Sequence, residues 1–236
     1  NIHGGVRAFT GAFFVFSDYM KGAMRLAALM GVPSIFVFTH DSIAVGEDGP
    51  THEPIEQIAG LRATPNMDVY RPADAWEVVE CFKKAIASKH TPSCIILTRQ
   101  NLRVEDHANS DVAKGGYVLK EEQGKLDLCL LASGSEVNLA MDVANKLESQ
   151  GKNVRVVSMP NTADFDKQSK AYRQSVLPDR KKVVAVEMSS DNVWYKYAAY
   201  VYGIDKFGAS APASVLMKEY GFTADQLADW IANNVK

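Results

Sequence analysis

The chain has 236 residues, with 26 Lys and Arg against 28 Asp and Glu, and so a formal charge of −2. That balance excludes a polycationic nucleic-acid binder and a polybasic membrane-surface protein, both of which need a large single-sign field. At 47% hydrophobic and 23% charged residues it has the composition of a globular protein with a real core, and its length suits one large domain or two small ones.

Along the chain, continuous β-branched runs alternate with helical patterns, the signature of βαβ units around buried parallel sheets. After HGGVRAFTG, the residues Phe13, Phe14, Phe16 and Tyr19 crowd seven positions. Spacing of three between Phe13, Phe16 and Tyr19 predicts a helical stripe, which serves either core packing or the lining of a flat ring. SIFVFT, Ser34 to Thr39, predicts a buried strand, and His40 follows it. The stretch DSIAVGEDGPTHEP has neither period, and Pro50 excludes a regular helix, so Asp48 and His52 are set by tight turns. A helix from Ile55 to Arg62 and a strand from Asp68 to Tyr70 come next. Pro72, Asp74 and Glu77 then form a capping pattern, and Ala75, Val79, Phe82 and Ile86 line one face of a helix over 74–88.

CIILT, Cys94 to Thr98, predicts another strand, followed by Arg99. The polar segment Arg103 to Lys114 lacks apolar period and marks a boundary between residues 1–113 and 114–236. Beyond it, strands are expected at Asp127 to Ala132, Asn153 to Ser158 and Lys182 to Val186. A helix capped by Ser135 ends near Gly151, and a last helix starts at Thr223 with Gln226. Cys81, Cys94 and Cys129 read as reduced core thiols of a cytosolic protein, and no apolar run approaches the roughly 20 residues of a membrane span. His3, His90 and His107 lack ligand spacing, so no protein-built metal site is expected. The start at Asn1 suggests a piece of something longer.

Ligands of open parallel sheets bind beyond the carboxyl ends of the strands, which singles out His40 and Arg99. A guanidinium fork beside an imidazole suits a phosphate or carboxylate. A carboxylate-capping Arg and a satisfied core His are the bland alternative. On the intervening loop, Asp48 and His52 suit proton transfer on a polyol, or else belong to a surface turn. Ser133, Gly134 and Ser135 offer an anion site or a plain helix cap, and Trp194, Tyr195, Tyr197, Tyr200 and Tyr202 a core or subunit interface.

Taken together, HGG…FFVFSDY, FVFTHDSIAVGEDGPTHEPIEQIAGLRATPNM, YRPADAWE, ILTRQNL, GGYVL, ASGSEV, VVSMP and FGASAPA resemble the transketolase family, in order, over essentially the whole chain. The resemblance implies an α/β fold of the thiamine-diphosphate-enzyme type, with two parallel-sheet domains, mixed in the second, and helices on both faces. Residues 1–113 would be the back part of a pyrimidine-binding domain and 114–236 the C-terminal domain. It also implies transfer of a two-carbon ketol unit between sugar phosphates such as xylulose 5-phosphate and ribose 5-phosphate, by a cytoplasmic homodimer. Phe13, Phe16 and Tyr19 would hold the pyrimidine of thiamine diphosphate, and His40 and Arg99 the sugar phosphate. Asp48 would accept the donor hydroxyl, and His52 would assist proton transfer. The family's Gly-Asp-Gly motif and its pyrimidine-activating glutamate are not in this sequence, so the divalent metal (Mg or Ca) would be bound by residues absent from this chain. The 236 residues alone are therefore expected to be inactive. Dihydroxyacetone synthase, other thiamine-dependent relatives and a non-catalytic assembly module are the competing expectations.

Overall fold

The computed structural model describes residues 1–107 and 110–235; Ala108 and Asn109, inside the polar segment, lie outside it. Four strands, β1 (Phe9–Phe13), β2 (Ile35–Thr39), β3 (Asp68–Tyr70) and β4 (Ser93–Ile96), form a parallel sheet in the order β1-β2-β4-β3. A second sheet runs β5-β7-β6-β8-β9, from β5 (Tyr117–Lys120), β6 (Leu128–Ala132), β7 (Val154–Ser158), β8 (Val183–Val186) and β9 (Tyr200–Tyr202). Only β5 is antiparallel to its neighbour, which makes this sheet mixed.

Both faces of each sheet are covered, as period-2 strands with apolar residues on either side require. On the first sheet, Phe36, Phe38, Cys94 and Ile96 point to α1 (Ser17–Met30) and α2 (Gln57–Arg62). Their alternates Ile35 and Ile95 pack with Cys81 and Ala85 of α3 (Ala75–Ala87). On the second, Leu128, Leu130 and Val156 meet α4 (Glu136–Ser149), to which α7 (Ala213–Glu219) and α8 (Ala224–Asn234) add Leu216, Leu227 and Ile231, while α5 (Thr162–Asp166) and α6 (Lys170–Val176) lie on the opposite face. Cys129, Leu131 and Val157 face Phe165, Val176 and Trp194 on the other side. All three cysteines are buried and free.

The expected helix over 74–88 is α3. Asp74 accepts from the Glu77 amide at 3.1 Å, but Glu77 reaches back to the amide of Ala73 rather than of Asp74, and also accepts from the Tyr117 and Ser158 hydroxyls. Three expectations need correction. Phe13, Phe16 and Tyr19 are not one helical stripe: Phe13 ends β1, Phe14–Phe16 is a 3-10 turn, and α1 begins only at Ser17. The edge strands β1, β5 and β9 escaped the pattern because they are only partly covered. Ser135 is itself helical (φ −61°, ψ −23°) and donates its hydroxyl to Glu136 instead of capping. Of the aromatic cluster, Trp194 and Tyr197 are core, whereas Tyr195 is exposed.

The two α/β units are joined at their strand ends. Arg71, directly after β3, donates its amide to Pro160 O at 2.9 Å and accepts at its carbonyl from the Gly134 amide at 2.9 Å. Its guanidinium and that of Arg62 are buried among Asp41, Glu136, Glu187 and Asp191. Arg62 grips both oxygens of Glu187, at 2.8 and 3.0 Å, and reaches Asp191 at 2.7 Å. A second seam joins the turn-rich loop to the segment before α7, where Ser210 donates to Glu47 O at 2.6 Å. Gly49, at φ 75°, lies so close to Ser210 that a Cβ there would sit 3.1 Å from the serine Cβ.

Candidate functional site

β2 and β4 are parallel neighbours in the register Phe38↔Ile96, so the residues beyond them emerge at the same edge. His40 follows β2 directly. β4 stops at Ile96, two residues short of the expected end, which puts Arg99 third beyond the strand on an exposed turn. β1 pairs with β2 in the register Phe13↔Thr39, which sets Phe13 opposite the residue before His40. The Phe13 and His40 rings stack at 3.8 Å between centroids and 21° between planes. Behind Phe13 lies the Phe16 ring, near-parallel at 6.3 Å and 10°. His52 meets Phe16 edge-on at 5.3 Å and Phe13 at 6.4 Å. Thus Phe13, Phe16, His40 and His52 form one group, with Tyr19 at its rim, 88% exposed and 6.1 Å from Phe16.

Core packing is the wrong reading of this stripe: Phe14 is the ring that enters the core, at 2% exposure, against 36% for Phe13. His40 has φ 63°, a left-handed conformation that costs a Cβ-bearing residue about 1–2 kcal/mol. Its Nδ1 is paired with Thr39 Oγ1 at 2.9 Å, and His52 Nδ1 with Thr51 Oγ1 at 2.9 Å, contacts that fix both ring orientations. Burial and the nearby Arg99 guanidinium, with His52 adding to them, push the His40 pKa below 6.5 against the opposing pull of Asp48 and Asp41. The shift favours the uncharged imidazole, which stands beside an exposed arginine and an exposed Asp48. A guanidinium, an imidazole and a carboxylate grouped at one sheet edge can bind an anion and hydroxyl groups together.

Two features had no place in the sequence reading. Among the described residues, Glu53, 2% exposed, has neither carboxyl oxygen in a well-aligned hydrogen bond. Burial raises its pKa to about 7, only partly offset by the nearby backbone amides of Ala209 and Gly46. The other is the Arg62 and Arg71 cluster, whose members Arg71, Ser133 and Glu187 each directly follow a strand. Ser133 donates to Glu187 Oε1 at 2.6 Å, and a Cβ on Gly134 would strike the Arg71 guanidinium, so the start of α4 is filled by the protein's own groups rather than open to an anion.

Residues 1–105 match the family described as "Transketolase, pyrimidine binding domain", and residues 115–223 match the "Transketolase-like TK C-terminal domain". The chain belongs to the transketolase family. It is 55% identical over 237 aligned positions to a probable transketolase of Streptococcus pneumoniae, covering 98% of this chain and 36% of the relative. Among solved structures it resembles the transketolase of Campylobacter jejuni, at a TM-score of 0.91 and 44% identity, over 96% of this chain and 35% of the other. It also resembles a Pichia stipitis transketolase in complex with sedoheptulose 7-phosphate, at 0.91 and 46%, over 96% and 34%. The chain thus spans about a third of the length of the transketolases it matches. The family uses thiamine diphosphate, and the open, near-parallel Phe13 and Phe16 rings fit a flat heteroaromatic ring.

Proposed function

We propose that the full-length protein is a thiamine-diphosphate-dependent transketolase of the pentose phosphate pathway, and that this chain supplies its pyrimidine and sugar-phosphate contacts. The observation that carries this reading is the convergence of His40 and His52 on Phe13 and Phe16 at one sheet edge, with Arg99 and Asp48 close enough to bear on the charge of His40. Phe13, Phe16 and Tyr19 would hold the aminopyrimidine. Thiamine diphosphate, when bound, supplies the electron sink that lets a ketose carbon-carbon bond break. Arg99 and His40 would bind the phosphate of the ketose and aldose phosphates, far from the breaking bond, so that its binding energy orients the reacting carbon. Asp48 would accept a hydrogen bond from a donor hydroxyl and select its configuration. His52, its ring held by Thr51, would take and return a proton at a substrate hydroxyl.

The same reading includes a divalent metal held outside this chain, a division of the two units at 113/114, and a cytoplasmic homodimer. Exposed Leu26, Leu29 and Met30 on one helix, α1, support a subunit contact, and buried free thiols support a reducing compartment. Among the described residues, no helix is long and apolar enough to cross a membrane. The test is turnover of xylulose 5-phosphate with ribose 5-phosphate by the full-length protein. Arg99→Ala and His40→Ala should raise KM for both, whereas the 236 residues alone should give no product. A full-length protein that binds thiamine diphosphate but processes only unphosphorylated substrates would refute the reading.

A further inference from the structure

His40 holds a left-handed backbone although it carries a side chain, a conformation that persists only where its surroundings over-determine it. The residue that follows it does so. Asp41 is 5% exposed, and its Oδ2 is gripped by both Nε and Nη2 of Arg71, at 2.9 and 2.8 Å. Its other carboxyl oxygen is buried without a partner, so the two-point grip of Arg71 is the anchor of this side chain among the described residues.

Arg71 in turn cannot follow a drifting Asp41. Its Nη1 donates to the Ser133 carbonyl at 3.0 Å, and both terminal nitrogens donate to Glu136. Its backbone is hydrogen-bonded on both sides to the second α/β unit, through Pro160 and Gly134, and Pro72 narrows the backbone freedom of the arginine before it. A rigid chain of contacts therefore runs from α4 through Arg71 and Asp41 to the turn that aims the His40 imidazole along Phe13.

We propose that Arg71 is a positioning residue: through Asp41 it fixes the turn at His40, and so the second α/β unit sets the geometry of the phosphate end of the pocket in the first. This rests on the reading of His40 as a phosphate ligand. A group that only stabilised the fold would, when weakened, lower activity on every substrate alike, whereas a group that aims His40 should affect phosphorylated substrates selectively.

The experiment compares kcat/KM of the full-length enzyme for a ketose phosphate donor and for the same ketose without its phosphate. His40→Ala should lower the ratio of the two. Asp41→Asn, which keeps the shape and leaves Arg71 its bonds to Glu136 and Ser133, should lower it about 10-fold, the order expected when a binding group is misplaced by a fraction of an ångström. In the double variant the two losses should not multiply, because both act on one contact. Arg71→Lys, which keeps the charge but cannot fork onto Asp41, should reproduce Asp41→Asn.

An unchanged ratio in Asp41→Asn and Arg71→Lys, with a changed one in His40→Ala, overturns the positioning role and leaves the phosphate reading intact. Multiplying losses also overturn it. An unchanged ratio in His40→Ala overturns the phosphate reading, and the positioning role with it. If both Asp41→Asn and Arg71→Lys fail to fold, as judged by circular dichroism, the contact is structural and the proposal falls.

Discussion

The Glu53 carboxylate occupies the space that a side chain on Gly208 would need. The loop after β2 and the segment leading to α7 are thus packed through a carboxyl group against a bare backbone, and only glycine fits opposite it. Gly208→Ala should displace Glu53 and open the seam, at a cost of about 1–3 kcal/mol. Thermal denaturation should then show a Tm lower by several degrees. Glu53→Ala in the same chain should recover part of that loss, and an unchanged Tm in Gly208→Ala would show that the seam yields freely.

Glu53 also makes this seam pH-dependent. Its folded pKa of about 7 stands above the ordinary 4.5, because burial disfavours the carboxylate. The folded state therefore holds a proton that the unfolded state has lost across that window. The stabilisation linked to it is complete below about 4.5 and is lost as the pH rises through about 7. Glu53→Gln, neutral at every pH, should leave Tm unchanged at pH 4 and raise it at pH 8, where the gain in stability is on the order of 1 kcal/mol. Equal Tm differences at the two pH values would contradict the linkage.

Where the sequence was legible, a single physical rule did the work. Buried apolar runs marked β2, β3, β4, β6, β7 and β8 within a residue or two, and the residues beyond the strands pointed to His40 and Arg99. The same rule applied to β3, β6 and β8 gives Arg71, Ser133 and Glu187, which lie buried against one another between the two units. It raised Ser133 only as an anion site or a helix cap and passed over Arg71 and Glu187, because nothing in a linear pattern tells which strand ends from different sheets will face each other. Partly covered edge strands carry no two-sided apolar run, so β1, β5 and β9 were invisible. Periodicity also misread Phe13, Phe16 and Tyr19, since a spacing of three is kept across a strand end, a 3-10 turn and a helix start alike. Glu53 lacked any signal, for its burial depends on Gly208, 155 positions away in sequence.

His40 should titrate below the ordinary histidine range, because burial and the Arg99 guanidinium both disfavour its charged form. Its folded pKa is depressed, so the unfolded state binds the proton first and stability falls as the pH drops through 6.5. Histidine-selective NMR of the full-length protein should place the His40 midpoint below 6.5, and Arg99→Ala should raise it by removing the nearby positive charge. Inorganic phosphate should raise it as well, since a bound anion favours the imidazolium. A midpoint that phosphate leaves unmoved would argue against an anion beside this ring.

Arg62 should be costly to lose, because it is the main cationic partner of two buried carboxylates. Burial opposes ionisation of Glu187, yet the Arg62 and Arg71 guanidiniums outweigh it and hold the carboxyl at about 2. Trp194, Ser133 and Ser189 also donate to it, at 2.8, 2.6 and 2.8 Å. Arg62→Met fills a similar volume but leaves Glu187 and Asp191 without their main partner. Breaking a buried pair on one side costs about 3–5 kcal/mol, because the remaining charge stays desolvated. Urea denaturation at pH 7 should register a loss of that size, and adding Glu187→Gln should restore part of it by removing the stranded charge. The depressed carboxyl stabilises the fold above about 4.5 and loses its effect as the pH falls toward 2, so the penalty of Arg62→Met should shrink on acidification. A loss below about 1 kcal/mol at pH 7 would mean that Arg71 alone satisfies the cluster, and that the two units are joined chiefly by their apolar surfaces.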